Sequence, residues 1–79
     1  MDRLQALGLV IRDTRKAKHI SQEKLAELAQ LHRNFVGLVE RAETKLAIDS
    51  LFAIADALSV PASQLMREAE ALLASSRKT

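Results

Sequence analysis

Residues 21–41, SQEKLAELAQLHRNFVGLVER, carry the side chains with the clearest chemistry in the chain. Ser21 is a good N-cap, with a hydroxyl able to accept a hydrogen bond from the amide of residue 23 or 24 and so start a helix. Gln22 then falls in the first turn, at the positive end of that helix, where amides and a polar side chain can hold a phosphate. Gln30 and Leu31 make a turn. Beyond it His32, Arg33 and Asn34 lie on the exposed start of another helix, whose opposite face is anchored by Val36 and Val39. These are binding groups. No nucleophile–base pair, paired carboxylate site or metal cluster is discernible, so an enzyme is the least supported class.

The chain contains no cysteine and only two isolated histidines, His19 and His32, which argues against a disulfide framework and a structural zinc site. Both histidines read as polar surface groups, and no cofactor is expected. The net charge is +2, unevenly spread: nine Lys and Arg stand against six acids before residue 46, and three against four after it. That asymmetry fits a basic front half that meets a polyanion and a neutral back half with another task. A chance imbalance on a solvated surface fits it as well. The basic run Arg12, Arg15, Lys16 and Lys18 divides in the same way between a solvated face and phosphate contact, with Arg15 assigned to the backbone of the polyanion.

Ala, Leu, Glu, Gln, Lys and Arg dominate, β-branched alternation is absent and aromatics make up 3%, so the expected fold is all-α. Five helices joined by short connections are expected. The first covers about Asp2 to Ala17, with Leu4, Leu7, Val10, Ile11 and Thr14 at helical spacing and cations at its end. The second runs from Ser21 to about Ala29 and turns Leu25 and Leu28 inward. The third, about His32 to Glu40, buries Val36, Val39 and part of Phe35. A fourth from about Asp49 to Leu58 turns Leu51, Ile54, Ala55 and Leu58 to the core. Pro61 opens a fifth that ends near Ala74, and Ser75–Thr79 is expected to fray.

Seventy-nine residues, 48% of them hydrophobic, suit a single domain over 1–79 with one core and no separate catalytic or sensing module. One small core is marginal, and burial against a second copy is the simplest supplement. The segment 61–74 offers the surface for it. Leu65 and Leu72 are expected to look inward, while Met66, Ala69 and Leu73, with Phe52 beside them, form an isologous dimer interface. The opening MDRLQALGLVIRD carries an acid and scattered charges and does not read as a signal peptide, and no stretch approaches the roughly 18 apolar residues of a membrane span. A soluble, cytoplasmic protein is expected.

The segment 21–41 resembles the Cro/cI-like (XRE-type) helix-turn-helix regulators, whose pattern is roughly [ST]-Q-x-x-L-A, a turn, and a helix ending in E-R. The match rests on Ser21, Gln22, Leu25, Ala26, Leu31, Val36, Val39, Glu40 and Arg41. Within that family LHRNFVGLVER is similar to the L-[DH]-R-x-[FY]-[IV]-x-x-[IV]-E-R of restriction–modification controller proteins. The resemblance implies a compact five-helix, lambda-repressor-like domain of bacterial, plasmid or phage origin that binds double-stranded DNA as a homodimer.

Carried over position by position, the resemblance implies base reading by Arg33, Asn34 and Phe35. Their chemistry suits it: Arg pairs with guanine, Asn with adenine, and an aromatic packs on thymine methyls, although Phe35 fits the core equally well. Backbone contacts fall to Gln22, His32, Thr44 and Lys45, the last two in the loop after the third helix. Glu40 and Arg41 are expected to brace the structure, Glu40 through a buried pairing. Three positions depart from the pattern. Gln30 stands where Gly is common and has to turn left-handed; Gly37 interrupts the recognition helix; and Leu38 occupies a site often polar, which leaves more of the readout to DNA shape.

The expected function is a regulator on an inverted-repeat operator, with half-sites about 34 Å apart, acting by occupancy. Bound upstream it could recruit RNA polymerase, and bound over a promoter it would block it. Nothing indicates a small-molecule effector or a membrane partner. An antitoxin or phage-type repressor, or a helical protein-interaction module without DNA binding, are the competing readings.

Overall fold

Two capping arrangements start the chain's first two helices. The Asp2 carboxylate accepts from the Gln5 N–H at 2.8 Å while the Gln5 side chain accepts from the Asp2 N–H at 2.8 Å, a reciprocal box that opens α1 (Arg3–Ala17). Ser21 accepts from the Lys24 N–H at 3.0 Å and opens α2 (Gln22–Ala29), as its side chain predicts. α3 (Phe35–Glu40), α4 (Ile48–Leu58) and α5 (Ala62–Ser76) follow. The computed structural model describes residues 1–76, and among these there is no strand.

Boundaries differ from expectation in three places. His32, Arg33 and Asn34 form a turn ahead of α3 and are not its first residues. Pro61 stands one residue before α5, its carbonyl accepting from the Gln64 N–H at 3.0 Å. Ser75 and Ser76, expected to fray, continue α5; residues 77–79 lie outside the described region.

Four helices end on the same device. His19, Gln30, Ala42 and Ser59 take φ between 57° and 60°, the left-handed region expected at Gln30 and present at three further positions. The next residue's N–H reaches back five positions: Ile20 to Arg15, Leu31 to Ala26, Glu43 to Leu38 and Val60 to Ala55, at 2.8–3.1 Å. This closure satisfies carbonyls the helix would leave free, and an apolar residue just beyond it often packs back onto the helix. Ile20, Leu31 and Val60 do so against the core. Glu43 is the exception.

Ile11 of α1, Leu25 of α2, Val36 and Val39 of α3, Ile54 and Leu58 of α4, and Leu65 of α5 are fully buried, so every helix contributes to one core. α1 packs along α5 and across α3, while α2 meets α3 and α4. The α1–α3 crossing is close: a Cβ on Gly8 would lie 2.5 Å from the Val39 carbonyl oxygen and 2.8 Å from that of Glu40. Leu28 does not turn inward. The core stripe of α2 is Leu25, Ala26 and Ala29, which leaves Leu28 to one side and exposed. Ala69 and Leu73, expected at a dimer interface, are each only 6% exposed and sit within the monomer's own core, because α1 lies along that face of α5. Leu72, expected inward, is half-buried.

Candidate nucleic-acid interface

A buried polar cluster ties α1 and α2 to the last residue of α3. The Arg15 guanidinium donates from Nε to Glu40 Oε2 at 2.7 Å, from Nη2 to Glu40 Oε1 at 3.1 Å and from Nη1 to the Ile20 carbonyl at 2.9 Å. Glu40 Oε1 also accepts from Gln22 Nε2 at 2.9 Å. With 8% of Arg15 and 6% of Glu40 exposed, the paired fork is shielded from water, and no buried side-chain polar atom among the described residues lacks a partner. Charge-assisted, two-pronged geometry of this kind fixes orientation as well as adding energy. The buried pairing expected of Glu40 is thus present.

Arg15, assigned to the DNA backbone from the basic run, is corrected here. All three of its nitrogens are committed inside the fold, so it can position the interface but cannot reach a phosphate. Gln22 lies on the exposed first turn of α2, where it was expected. Its amide is already shared with Glu40, which leaves one Nε2 hydrogen free.

Arg33 and Asn34 project from the turn ahead of α3, both exposed. Arg33 forms no hydrogen bond or ion pair among the described residues. His32 is exposed as well, its Nδ1 accepting from the Asn34 N–H at 3.3 Å, and the His32 carbonyl accepts from the Phe35 N–H at 2.9 Å. The turn is therefore continuous with α3. Phe35 is half-buried and packs against the core, so part of its ring remains outside. Thr44, half-buried, and Lys45, exposed, occupy the loop between α3 and α4.

Gly37 faces two side chains and not a backbone. A Cβ there would meet Arg41 Nη1 at 3.0 Å and Gln22 Oε1 at 3.4 Å. Both are the flexible ends of long side chains, so the position is close to Gln22 and Arg41 without being closed by them. Of the other residues expected at a dimer interface, Phe52 and Met66 are 54% and 48% exposed. Ile48, not anticipated, is 56% exposed and one turn from Phe52 on α4. Its spacing from Phe52 carried that signal, since residues four apart share a helix face. The capping box at Asp2 and Gln5 was legible in the same way.

A helix-turn-helix family model matches residues 11–65. A control protein, C.SmaI of Serratia marcescens, is 36% identical over 66 residues, which cover 84% of this chain and 79% of that one. Among solved structures, the restriction–modification controller protein C.AhdI from Aeromonas hydrophila superposes with a TM-score of 0.77 at 37% identity, over 78% of this chain and 94% of that chain. The controller C.Esp1396I, solved as a nucleoprotein complex, gives 0.76 at 30% identity, over 87% and 95%. No helix among the described residues is long and apolar enough to cross a membrane. The chain belongs to the Cro/cI-type helix-turn-helix family of DNA-binding transcription regulators, and within it resembles the controller proteins of restriction–modification systems.

Proposed function

We propose that this protein is a restriction–modification controller that acts as a homodimer on an inverted-repeat operator. The observation that carries the reading is the exposed Arg33–Asn34 turn, which leads into α3, a helix fastened at its other end by the buried Arg15–Glu40–Gln22 cluster. Arg33, without a protein partner, is free for a guanine edge, Asn34 for an adenine, and the outward part of Phe35 for a thymine methyl. Gln22, His32, Thr44 and Lys45 flank that turn and contact the sugar–phosphate backbone, which sets register without reading sequence. The C.Esp1396I controller, similar over most of both chains, has been solved in a nucleoprotein complex, and this supports the same mode here.

The dimer uses the exposed apolar residues of the last two helices: Ile48 and Phe52 of α4 with Met66 of α5. Two-fold pairing through one self-complementary patch sets two recognition turns about 34 Å apart, one turn of DNA, and makes the operator palindromic. Regulation follows from occupancy, by recruiting RNA polymerase from an upstream site or excluding it from a promoter. Selection of bound duplexes from a random pool tests the whole reading. It should return two inverted half-sites with centres one helical turn or a small multiple apart. Recovery of no common sequence, or of a single half-site, would overturn it.

A further inference from the structure

The end of α3 breaks the rule that the other helix ends obey. After α1, α2 and α4 the left-handed residue is followed by an apolar side chain packed on the core, Ile20, Leu31 and Val60. After α3, Ala42 turns left-handed and the Glu43 N–H closes on the Leu38 carbonyl at 2.8 Å, but the side chain is a carboxylate left in solvent. There it accepts from Arg41 Nε at 2.9 Å, with the two side chains 56% and 54% exposed. Such an exposed pair adds little to stability, so fold stability does not account for an acid in an apolar position.

Arg41 is not a brace like Arg15. Asn34, Leu38 and Arg41 follow one another at spacings of four and three, on the side of α3 opposite Val36, Val39 and Glu40. One of its terminal nitrogens lies over Gly37, beside the Gln22 amide, while Nε is the atom bound to Glu43. The two Nη groups therefore keep donors on the same face as Gln22.

Resting on the DNA-binding reading above, we propose that Arg41 is a phosphate contact at the end of the recognition helix and that Glu43 competes with DNA for it. In free protein the carboxylate holds the guanidinium; on DNA a phosphate oxygen replaces it, with no covalent change and one cation exchanged between anions. Glu43 thus weakens binding, which places the occupancy threshold at a higher protein concentration.

The test is titration of a labelled duplex, recovered by the selection described above, over a series of salt concentrations. Wild type, Arg41→Gln, Glu43→Gln, the double variant and Arg33→Ala are compared. Arg41→Gln should weaken binding and lower the slope of log K against log salt by about one. Glu43→Gln should tighten binding about two- to fivefold, the range of one exposed ion pair, and this gain should vanish in the double variant. An unchanged salt slope in Arg41→Gln would overturn the phosphate contact. A Glu43→Gln gain that persists without Arg41 would show general repulsion between the acid and DNA, and would overturn the competition. Arg33→Ala separates the levels. If it abolishes preference for the selected duplex while Arg41→Gln changes nothing, the regulator reading stands and this inference falls; if no variant or wild type prefers that duplex, the regulator reading itself has failed.

Discussion

Replacing each glycine in turn by alanine asks whether helix propensity or packing decides, and the two sites give opposite signs. In an unconstrained helix the change stabilises by about 1 kcal/mol, because glycine loses more backbone freedom on folding. At Gly8 the new Cβ would stand 2.5 Å from the Val39 carbonyl oxygen and 2.8 Å from that of Glu40, both backbone atoms that no rotamer change can move. Ordinary contact begins near 3.4 Å, so α1 and the end of α3 must part by roughly 0.9 Å, an amount at which dispersion contacts lose a quarter to a half of their depth. Overpacking of this kind costs about 1–3 kcal/mol, occasionally more. The same movement pulls Glu40 from Arg15, whose bonds of 2.7 and 3.1 Å have little slack. Taking the upper part of that range and subtracting the propensity gain leaves a net loss of about 2 kcal/mol, or a fall in Tm of about 8–16 °C for a domain of this size. Urea denaturation followed by circular dichroism, at one fixed protein concentration so that any association between copies weighs equally on each variant, gives the value directly. At Gly37 the Cβ meets only the flexible ends of Arg41 and Gln22 at 3.0 and 3.4 Å. Gly37→Ala should therefore keep most of the propensity gain and raise stability by up to about 1 kcal/mol. Equal stabilisation at both positions would show that the α1–α3 approach is not tight, and would refute the argument.

Glu40→Ala should cost about 3–5 kcal/mol in the same assay, since it leaves the Arg15 charge buried without a partner; a loss below about 1 kcal/mol would mean that water replaces the carboxylate. Ala42 has φ 57° and no polar side chain to offset the strain, so Ala42→Gly should raise the midpoint by up to about 1 kcal/mol, and a lower one would refute the strain. Phe52→Asp should shift sedimentation toward the monomer with helix content retained, and an unchanged dimer would remove α4 from the interface. Arg33→Ala should cost about 1–3 kcal/mol of discrimination at a single operator base pair, read by competition between duplexes; a uniform loss across sequences would make Arg33 a backbone contact instead.

Spacing made the helices legible, because apolar residues at three and four apart betray a buried face whatever the tertiary context. Ser21 and the left-handed Gln30 were readable for the same local reason: capping and turn chemistry act over three or four residues. What failed depended on neighbours far away in the chain. Leu28 is as apolar as Leu25, yet only the packing of α2 on α3 and α4 decides which is covered. Ala69 and Leu73 looked surplus to a small core until α1 was laid along them. The turn at 32–34 reads as the start of a helix because His32, Arg33 and Asn34 oppose helix only weakly. In the fold the His32 ring and carbonyl bind the next backbone amides and hold those residues just outside α3.

Charge was the least transparent property, and pairing explains why. Nine cations in the first 45 residues suggest a broad basic surface. Four of them are spoken for: Arg15 by Glu40 in the interior, Arg12 by Asp13, Lys24 by Glu27 and Arg41 by Glu43 at the surface. The cations with no partner among the described residues include Lys16 and Lys18 at the end of α1, Arg33 at the recognition turn and Lys45 in the loop after α3. An unpaired cation brings its full attraction to a phosphate, whereas a paired one must first leave its carboxylate. The unpaired positive charge is therefore less than the residue count suggests, and part of it stands on the segments either side of α3 in sequence, at Arg33 and Lys45. Arg15, the cation least available to DNA, still matters most for its placement, because it fixes Glu40 and through it Gln22. Loss of Arg15 should thus weaken binding through displacement of Gln22 and of the end of α3, with the salt slope left nearly unchanged, whereas loss of Lys45 should lower that slope by about one.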